Sequence, residues 1–304
     1  MLALFAASLA LVATGCSSGG GQRSPEAVKA PTVDELVANT LREGPGRGSS
    51  AYQTPNPSVI ASLVATLREM IQDVHPLAPA GFAIVKVGPL GEPRDAGTAA
   101  LVELPRAGRT SGQGLYVVNG SNVEGTLRRV VQVPHPTSDR LTEDLGAEIF
   151  KALAKVLPPG SANMLMVAGA HRTADGGRAD VAHNSDTAFA AISDSFVQSG
   201  TVAVQLHGFD EGAHDGVGDA VVSTGDRSGS LTARRVVQAL TAAGFDVCAY
   251  GGTICTGLGA TTNVQGVHAR AAGAAWVHVE LSARLRQEPG QSSRVVAALV
   301  AALT

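Results

Sequence analysis

The chain has 304 residues, of which 44% are hydrophobic and 16% charged, and its formal net charge is −3 at pH 7. This length is enough for one sizeable α/β domain beside a shorter extra segment. The near-neutral charge, with no basic run interleaved with aromatic residues, excludes nucleic acid as an expected partner.

The first sixteen residues have the pattern of an export signal. An apolar run from Leu2 to Val12 ends in small residues just before Cys16. The run is short for a bilayer span of about 20 residues. The pattern resembles a bacterial lipoprotein signal, with an ordinary secretory signal and a transmembrane anchor as alternatives. It predicts that Cys16 is lipidated and that the protein is exported and anchored to the membrane of the bacterial cell envelope.

Residues 17–55 are rich in Ser, Gly, Pro and charge, and this composition predicts a disordered tether. Residues 56–304 predict one domain in which strands and helices alternate. The alternation indicates an α/β fold with a mixed, largely parallel sheet flanked by helices. The predicted strands are 82–87, 99–104, 114–118, 129–133, 164–168, 201–206, 220–223, 245–249 and 275–281, and the predicted helices are 59–71, 141–153, 189–196, 231–243 and 293–303.

Two cysteines remain after Cys16. Cys248 and Cys255 are separated by a segment that contains Gly251-Gly252, and a turn there would let the two residues approach closely. In an exported protein this arrangement favours a disulfide over two free thiols.

Histidines and acidic residues follow several predicted strands. His135 stands between two prolines directly after one strand, and His207 ends another. Asp139 and Glu143 lie one helical turn apart, so either could turn back toward His135. Two imidazoles and one carboxylate with an open fourth position form a catalytic zinc shell. The sequence therefore predicts a Zn²⁺ site, although Asp139 could instead cap a helix, Glu143 could face solvent, and either histidine could be structural.

Other polar residues predict a substrate-binding site. Arg172, next to His171, could hold a carboxylate with its guanidinium fork. Asp180 could position that arginine, and the alternative is a loop salt bridge from Arg172 or Arg178 to Asp180. Asn263 follows a Gly/Thr-rich segment and either lines the cleft or satisfies turn backbone.

Three motifs carry a family resemblance: His135-Pro-Thr-Ser-Asp139-Arg-Leu-Thr142, His207-Gly208, and Val277-His-Val-Glu280-Leu-Ser282. Over about residues 129–286 the chain resembles the zinc-carboxypeptidase-like amidohydrolases, in particular their N-formylglutamate amidohydrolase and phage poly-γ-glutamate hydrolase branches. The resemblance implies a zinc-carboxypeptidase-like (phosphorylase/hydrolase-like) fold. It also implies His135, Asp139 and His207 as ligands and Glu280 as general base. Thr142 favours Asp139 over Glu143, while the His-x-x-Glu spacing of the true carboxypeptidases is missing.

The motifs of other enzyme classes are missing. The predicted domain (56–304) has no Gly-x-Ser-x-Gly elbow between a strand and a helix, no dinucleotide-binding glycine pattern and no Walker loop. The prediction is a zinc-dependent hydrolase that cleaves an amide or peptide bond next to a carboxylate in a small-molecule or peptide substrate, such as a γ-glutamyl compound, a formylated or acylated amino acid, or a cell-wall peptide. The alternative is a non-catalytic envelope lipoprotein that binds metal or peptide.

Overall fold

The computed structural model describes residues 29–88, 90, 97–122, 124–158, 160–214, 216–251 and 255–304. Within these ranges the strands are β1 (Phe82–Lys86), β2 (Thr98–Glu103), β3 (Leu115–Asn119), β4 (Arg129–Val133), β5 (Asn163–Val167), β6 (Val202–Phe209), β7 (Ala220–Ser223), β8 (Val247–Ala249) and β9 (Ala275–Ser282). The helices are α1 (Val33–Glu43), α2 (Pro57–Ile71), α3 (Thr142–Val156), α4 (Ala188–Phe196), α5 (Leu231–Ala242), α6 (Val264–Ala271), α7 (Ala283–Gln287) and α8 (Pro289–Leu303). None of these helices is long and apolar enough to cross a bilayer.

The nine strands form one mixed sheet in the order β1-β2-β3-β5-β4-β6-β9-β7-β8. The central strands β5, β4, β6 and β9 are parallel to one another. On one side β3, β2 and β1 extend the sheet with antiparallel pairings. On the other side β7 is antiparallel to β9 and parallel to β8. The predicted single α/β domain with a mixed sheet is confirmed, and its parallel part is concentrated in the centre.

Helices cover both faces of the central strands, which explains why these strands have almost continuous apolar sequences. On one face Val131 and Val133 of β4 belong to a cluster with Phe150 of α3. On the other face Met164 of β5 belongs to a cluster with Phe189 of α4. Alternate residues of each strand thus enter two different cores, and the strand ends are left to carry the polar side chains.

The prediction of a disordered tether over residues 17–55 is wrong for its described part. Thr32 and Glu35 form a capping box that starts α1. Val33, Leu36 and Val37 of that helix are buried in the core cluster that also contains α3. The average composition hid these three residues, because one short amphipathic face is enough when a helix packs on existing structure. The predicted signal (1–16) with Cys16, and the tether up to residue 28, lie outside the described residues.

At the far edge of the sheet the structure joins Cys248 and Cys255 in a disulfide, with their Cα atoms 5.8 Å apart. The bond ties the end of β8 to the segment that follows it. The link agrees with the pairing that the sequence favours.

Helix α3 packs unusually close to β4, just before the strand leads into His135. A Cβ on Gly146 of α3 would lie 2.5 Å from Cγ2 of Val133. We expect Gly146→Ala to destabilise the fold by about 1–3 kcal/mol, because overpacking outweighs the better helix propensity of alanine. The matched control is Gly290→Ala in α8, where an added Cβ meets nothing within 4 Å and stability should stay equal or rise. Urea unfolding of both variants measures the change in the free energy of unfolding. A loss of stability in Gly290→Ala as large as that in Gly146→Ala, or no loss in Gly146→Ala, would contradict the packing argument.

Candidate metal centre

The candidate centre lies where the parallel strands end. β4 leads into His135, β6 carries His207 near its end, and β9 carries Glu280. His207 and Glu280 are register partners across β6 and β9. Because these strands are neighbours and run in the same direction, side chains that are distant in sequence meet at one edge of the sheet.

The loop between β4 and α3 brings Asp139 back to His135. The backbone N–H groups of Ser138 and Asp139 donate to the carbonyl of His135, at 3.0 and 2.8 Å. Leu141 then adopts a left-handed conformation, with φ of 70°, before α3 begins at Thr142. A non-glycine residue in that region is strained and persists only where its surroundings hold it. The tight turn places the Asp139 carboxylate beside the His135 ring.

Three buried side chains form a compact group of potential metal ligands. One ligand atom from each of His135, Asp139 and His207 lies within 4.8 Å of the other two. Oδ2 of Asp139 is 3.5 Å from Nδ1 of His135 and 3.2 Å from Nδ1 of His207. These are the ligands that the sequence predicts. Glu143, the alternative acidic ligand, does not belong to the group.

Asp180 determines which nitrogen of His135 faces this group. Its Oδ1 lies 2.8 Å from Nε2 of His135, and a carboxylate oxygen can only accept, so Nε2 carries the hydrogen. Arg172 orients Asp180 by donating to Oδ2 from Nε and Nη2, at 3.1 and 2.7 Å. Nδ1 of His135 therefore keeps a lone pair on the side of Asp139. Asp180, predicted to contact substrate, lies behind a ligand, in the salt bridge with Arg172 that the sequence left as the alternative.

A buried amide orients His207 in the same way. Oε1 of Gln205 lies 3.0 Å from Nε2 of His207 and can only accept its hydrogen. Gln205 is held in turn by Asn263, whose Nδ2 donates to the same Oε1 at 2.6 Å. Nε2 of Gln205 donates to Oε1 of Gln132 and of Gln265, at 3.0 and 3.2 Å. All of these side chains are buried, so Nε2 of His207 donates inward and its Nδ1 faces the other two ligands.

The prediction that Asn263 lines the substrate cleft is wrong. Its Oδ1 accepts from the backbone N–H of Gly266 as the cap of α6, at 3.0 Å, while its Nδ2 donates to Gln205. The residue is 2% exposed. The Gly/Thr-rich segment before it suggested an exposed loop, but Asn263 begins a helix that packs on β9. Its amide therefore lies beneath His207, on the inner side of the group.

Charge in the ligand group is balanced by hydrogen bonds. Burial would raise the pKa of Asp139, but its close contacts with His135 and His207 hold that pKa well below its usual range. Burial lowers the pKa of His207 to about 4 against the opposing effect of Asp139. Burial also lowers the pKa of His135, but hydrogen bonds to Asp139 and Asp180 outweigh it and raise the pKa. The raised pKa of His135 favours a proton in this group, and a bound cation would compete with that proton.

Glu280 and His278 form a second buried group on β9, which also includes His207. Nε2 of His278 is 3.4 Å from Oε1 of Glu280. Burial, and then the charge of Asp139, raise the pKa of Glu280 to about 8. Burial lowers the pKa of His278 well below its usual value, so this ring is neutral. Glu280 can thus accept and release a proton near neutral pH beside the ligand group.

The open side of the group is bordered by His171 and Arg172, both predicted to contact substrate. The Arg172 side chain is 35% exposed, and its Nη1 lies 3.4 Å from Nδ1 of His135. Nδ1 of His171 accepts from the backbone N–H of Thr173 at 3.2 Å. Burial, and then the charges of Arg47 and Arg172, lower the pKa of His171. The lowered pKa favours a neutral His171 ring, so the positive charge at this border comes from Arg172 and Arg47.

The buried amides and the role of His278 were not predicted from the sequence. A signal for the amides exists, because Gln132 and Gln205 interrupt two apolar strands and are register partners in β4 and β6. A polar side chain inside a buried strand requires a partner. Two glutamines at matching positions therefore predict a cross-strand amide pair. For His278 the signal is its place two residues before Glu280, which puts both side chains on one face of β9.

No protein-family model matches the chain, and no curated protein sequence matches it either. Similar solved structures include a bacteriophage poly-gamma-glutamate hydrolase, 15% identical over 62% of this chain and 86% of that one, with a TM-score of 0.41. A metallo-carboxypeptidase from Burkholderia cenocepacia is 13% identical over 83% and 69%, with a TM-score of 0.43. An N-formylglutamate amidohydrolase from Ralstonia eutropha JMP134 is 13% identical over 59% and 92%, with a TM-score of 0.36. At these identities and TM-scores the similarity assigns no activity, substrate or metal to this chain.

The choice between Asp139 and Glu143 can be tested directly. We expect Asp139→Asn to weaken Zn²⁺ binding by more than the about 10–100-fold that loss of an outer partner costs, because it removes the ligand that both Nδ1 atoms face. Glu143→Gln is the matched control, since that carboxyl is also partly buried, with its pKa raised to about 7 by burial. Competition with a chelating dye measures both affinities. Strong loss of Zn²⁺ in the control alone would reverse the assignment.

The role of the buried amide is testable through Gln205→Leu. Without Oε1 to accept from Nε2, His207 no longer holds its Nδ1 lone pair toward Asp139, and Zn²⁺ affinity should fall about 10–100-fold. Gln265→Leu disturbs the same network without touching His207, so it controls for general damage. If Gln205→Leu and Gln265→Leu lower the Zn²⁺ affinity equally and lower the melting temperature equally, the proposed effect on His207 orientation is refuted.

Proposed function

We propose that this protein is a zinc-dependent hydrolase that cleaves an amide or peptide bond adjacent to a carboxylate. One observation carries the proposal: Nδ1 of His135 and Nδ1 of His207 lie 3.5 and 3.2 Å from the same carboxylate oxygen of Asp139. Their Nε2 atoms are engaged elsewhere, by Asp180 and Gln205. Three acceptor atoms that face one another are stable only with a cation or a proton between them.

The donor set and spacing suit zinc. Zinc takes nitrogen and oxygen ligands at about 2.0–2.2 Å in tetrahedral geometry, which separates neighbouring ligand atoms by about 3.3 Å. The two separations given above are close to that length. His135, Asp139 and His207 would hold the ion and leave a position open for reactants. Imidazole nitrogens favour zinc over the harder Mg²⁺ and Ca²⁺.

Glu280 is placed to move the proton in hydrolysis. A bound zinc ion lowers the pKa of water to about 7 and polarises a carbonyl. Glu280, register partner of His207, would accept the proton that water loses and pass it to the departing amine. The neutral His278 ring beside Oε1 would limit the directions in which this carboxyl can turn.

Arg172 supports the proposal of a substrate with a carboxylate. Asp180 uses its Nε and Nη2 through Oδ2, which fixes the plane of the guanidinium at the open side of the group. The remaining N–H bonds can then donate to a carboxylate or carbonyl oxygen of substrate. Plausible substrates are γ-glutamyl compounds, formylated or acylated amino acids, and cell-wall peptides.

The envelope location is a further part of the proposal. It is supported by the apolar run Leu2 to Val12 and by Cys16 after small residues, which together would give an exported lipoprotein anchored to the membrane. The second candidate function, a lipoprotein that binds metal or peptide without turnover, uses the same ligands but leaves Glu280 without a role.

The two candidates make opposite predictions for Glu280→Gln. If Glu280 transfers the proton, the variant keeps its zinc and loses about 10²–10⁴-fold in kcat, the usual contribution of a general acid–base group. Hydrolysis of N-formylglutamate and of γ-glutamyl amides, with zinc content measured on the same samples, gives both readings. Glu143→Gln, whose carboxyl lies outside both ligand groups, should stay within a few-fold of the wild type. Turnover in Glu280→Gln equal to that of the wild type would contradict the proposed mechanism.

A further inference from the structure

A cavity separate from the candidate metal centre lies on the same edge of the sheet. It has a volume of about 410 Å³ and is lined by residues that include Gln53, Phe82, Arg106, Arg109 and Gln113. It sits where β1 begins and β2 ends. β3 begins beside β2, and Leu115 of β3 pairs with Val167 at the end of β5, so this edge continues to the end of β4.

The cavity is lined by two guanidinium groups that form no ion pair within the described part of the chain. Arg106 and Arg109 exchange backbone hydrogen bonds across a two-residue turn, at 2.7 and 3.2 Å. Both side chains are exposed, and within the described part of the chain neither makes an ion pair or a side-chain hydrogen bond. The nearby carboxylate of Glu103 forms no ion pair with them among the described residues, and its two oxygens accept four hydrogen bonds from Ser111, Gly112 and Gln113.

Gln113 adds an unused acceptor to the same cavity. Its Nε2 donates to the carbonyl of Gln53 at 2.7 Å and to Oγ of Ser111 at 3.1 Å. Its Oε1 is buried and has no partner among the described residues. A buried acceptor without a partner costs free energy unless a donor fills the position. The N–H of a bound peptide beside the arginines would supply that donor.

The ends of β3 and β5 lie between this cavity and strand β4, which leads into the metal centre. Strands β2, β3, β5 and β4 are adjacent in that order, and with strands about 4.8 Å apart the separation is about 15 Å. Residues 45–55 run along this edge: the carbonyl of Pro45 accepts from His171, that of Ser49 accepts from Asp175, and Gln53 donates to Ser111. Arg47 is exposed on this segment near His171. An extended peptide covers about 15 Å with about four residues.

We propose that this cavity is a distal subsite for the carboxylates of an extended acidic peptide, about four residues from the bond that is cleaved. Arg106 and Arg109 would bind a side-chain carboxylate, and Arg47 would support the chain between the cavity and Arg172. The inference rests on the proposed hydrolase function and deepens it, since it makes the substrate a multi-residue anion rather than a single acylated amino acid. It also gives the antiparallel extension β1–β3 a role in binding.

The test compares two probes, hexa-L-glutamate and di-L-glutamate, by calorimetry on the full chain in the presence of EDTA, so that hydrolysis does not interfere. We expect the hexamer to bind at least tenfold more tightly than the dimer. R106Q/R109Q should remove this advantage and leave dimer binding unchanged. The matched control, R234Q/R235Q on α5, removes the same charge from two exposed positions and should keep the advantage. Equal melting temperatures would show that the variants are folded.

The outcomes separate this inference from the proposed function. The distal subsite would be overturned if the hexamer and the dimer bind equally tightly. It would also be overturned if R106Q/R109Q and R234Q/R235Q reduce the affinity advantage of the hexamer equally. Both results would hold even if zinc-dependent hydrolysis of short substrates is found. Conversely, a length advantage that depends on Arg106 and Arg109, together with no zinc-dependent hydrolysis of either peptide, of N-formylglutamate or of γ-glutamyl amides, would retain the subsite and reject the hydrolase.

Discussion

The candidate centre depends on one constraint, the orientation of two imidazole rings by partners that face away from the metal position. Nε2 of His135 is engaged by Asp180, and Nε2 of His207 by Gln205. Because both Nε2 atoms are held by these partners, both Nδ1 atoms face Asp139. The two partners differ in charge, because one is a carboxylate held by an arginine and the other a neutral amide in a buried network. His135 thus has an Asp180–Arg172 ion pair behind it, while His207 has an uncharged amide.

The scaffold fixes this orientation at several points. Arg286 is buried and donates to the carbonyls of Leu281, Phe209 and Arg140. These carbonyls belong to the three segments that carry Glu280, His207 and Asp139, so one side chain joins the ends of β9 and β6 to the β4–α3 loop.

Gly208 makes room for this guanidinium, since a Cβ there would lie 2.5 Å from Cζ of Arg286. A rigid arrangement of this kind is what precise metal geometry requires.

The sequence predicts the parts of the site that follow from strand ends. His135, His207 and Glu280 could be identified because each stands at the end of an apolar run, and parallel strands bring such ends together. Asn263 and Asp180 could not be placed correctly, since a side chain that faces inward behind a ligand has no distinct local pattern. Helix α1 was missed because its three buried apolar residues are diluted by a Ser- and Gly-rich segment. The Arg106 cavity depends on antiparallel pairings between distant residues, which periodicity does not report.

The central claim is that His135, Asp139 and His207 together hold one zinc ion. The most direct test is a crystal structure of the zinc-supplied protein with anomalous difference maps on both sides of the zinc absorption edge. We expect one peak per chain, about 2.0–2.2 Å from Nδ1 of both histidines and from an oxygen of Asp139. A peak held by His207, His278 and Glu280 instead, or no peak in a fully folded protein supplied with zinc, would contradict it.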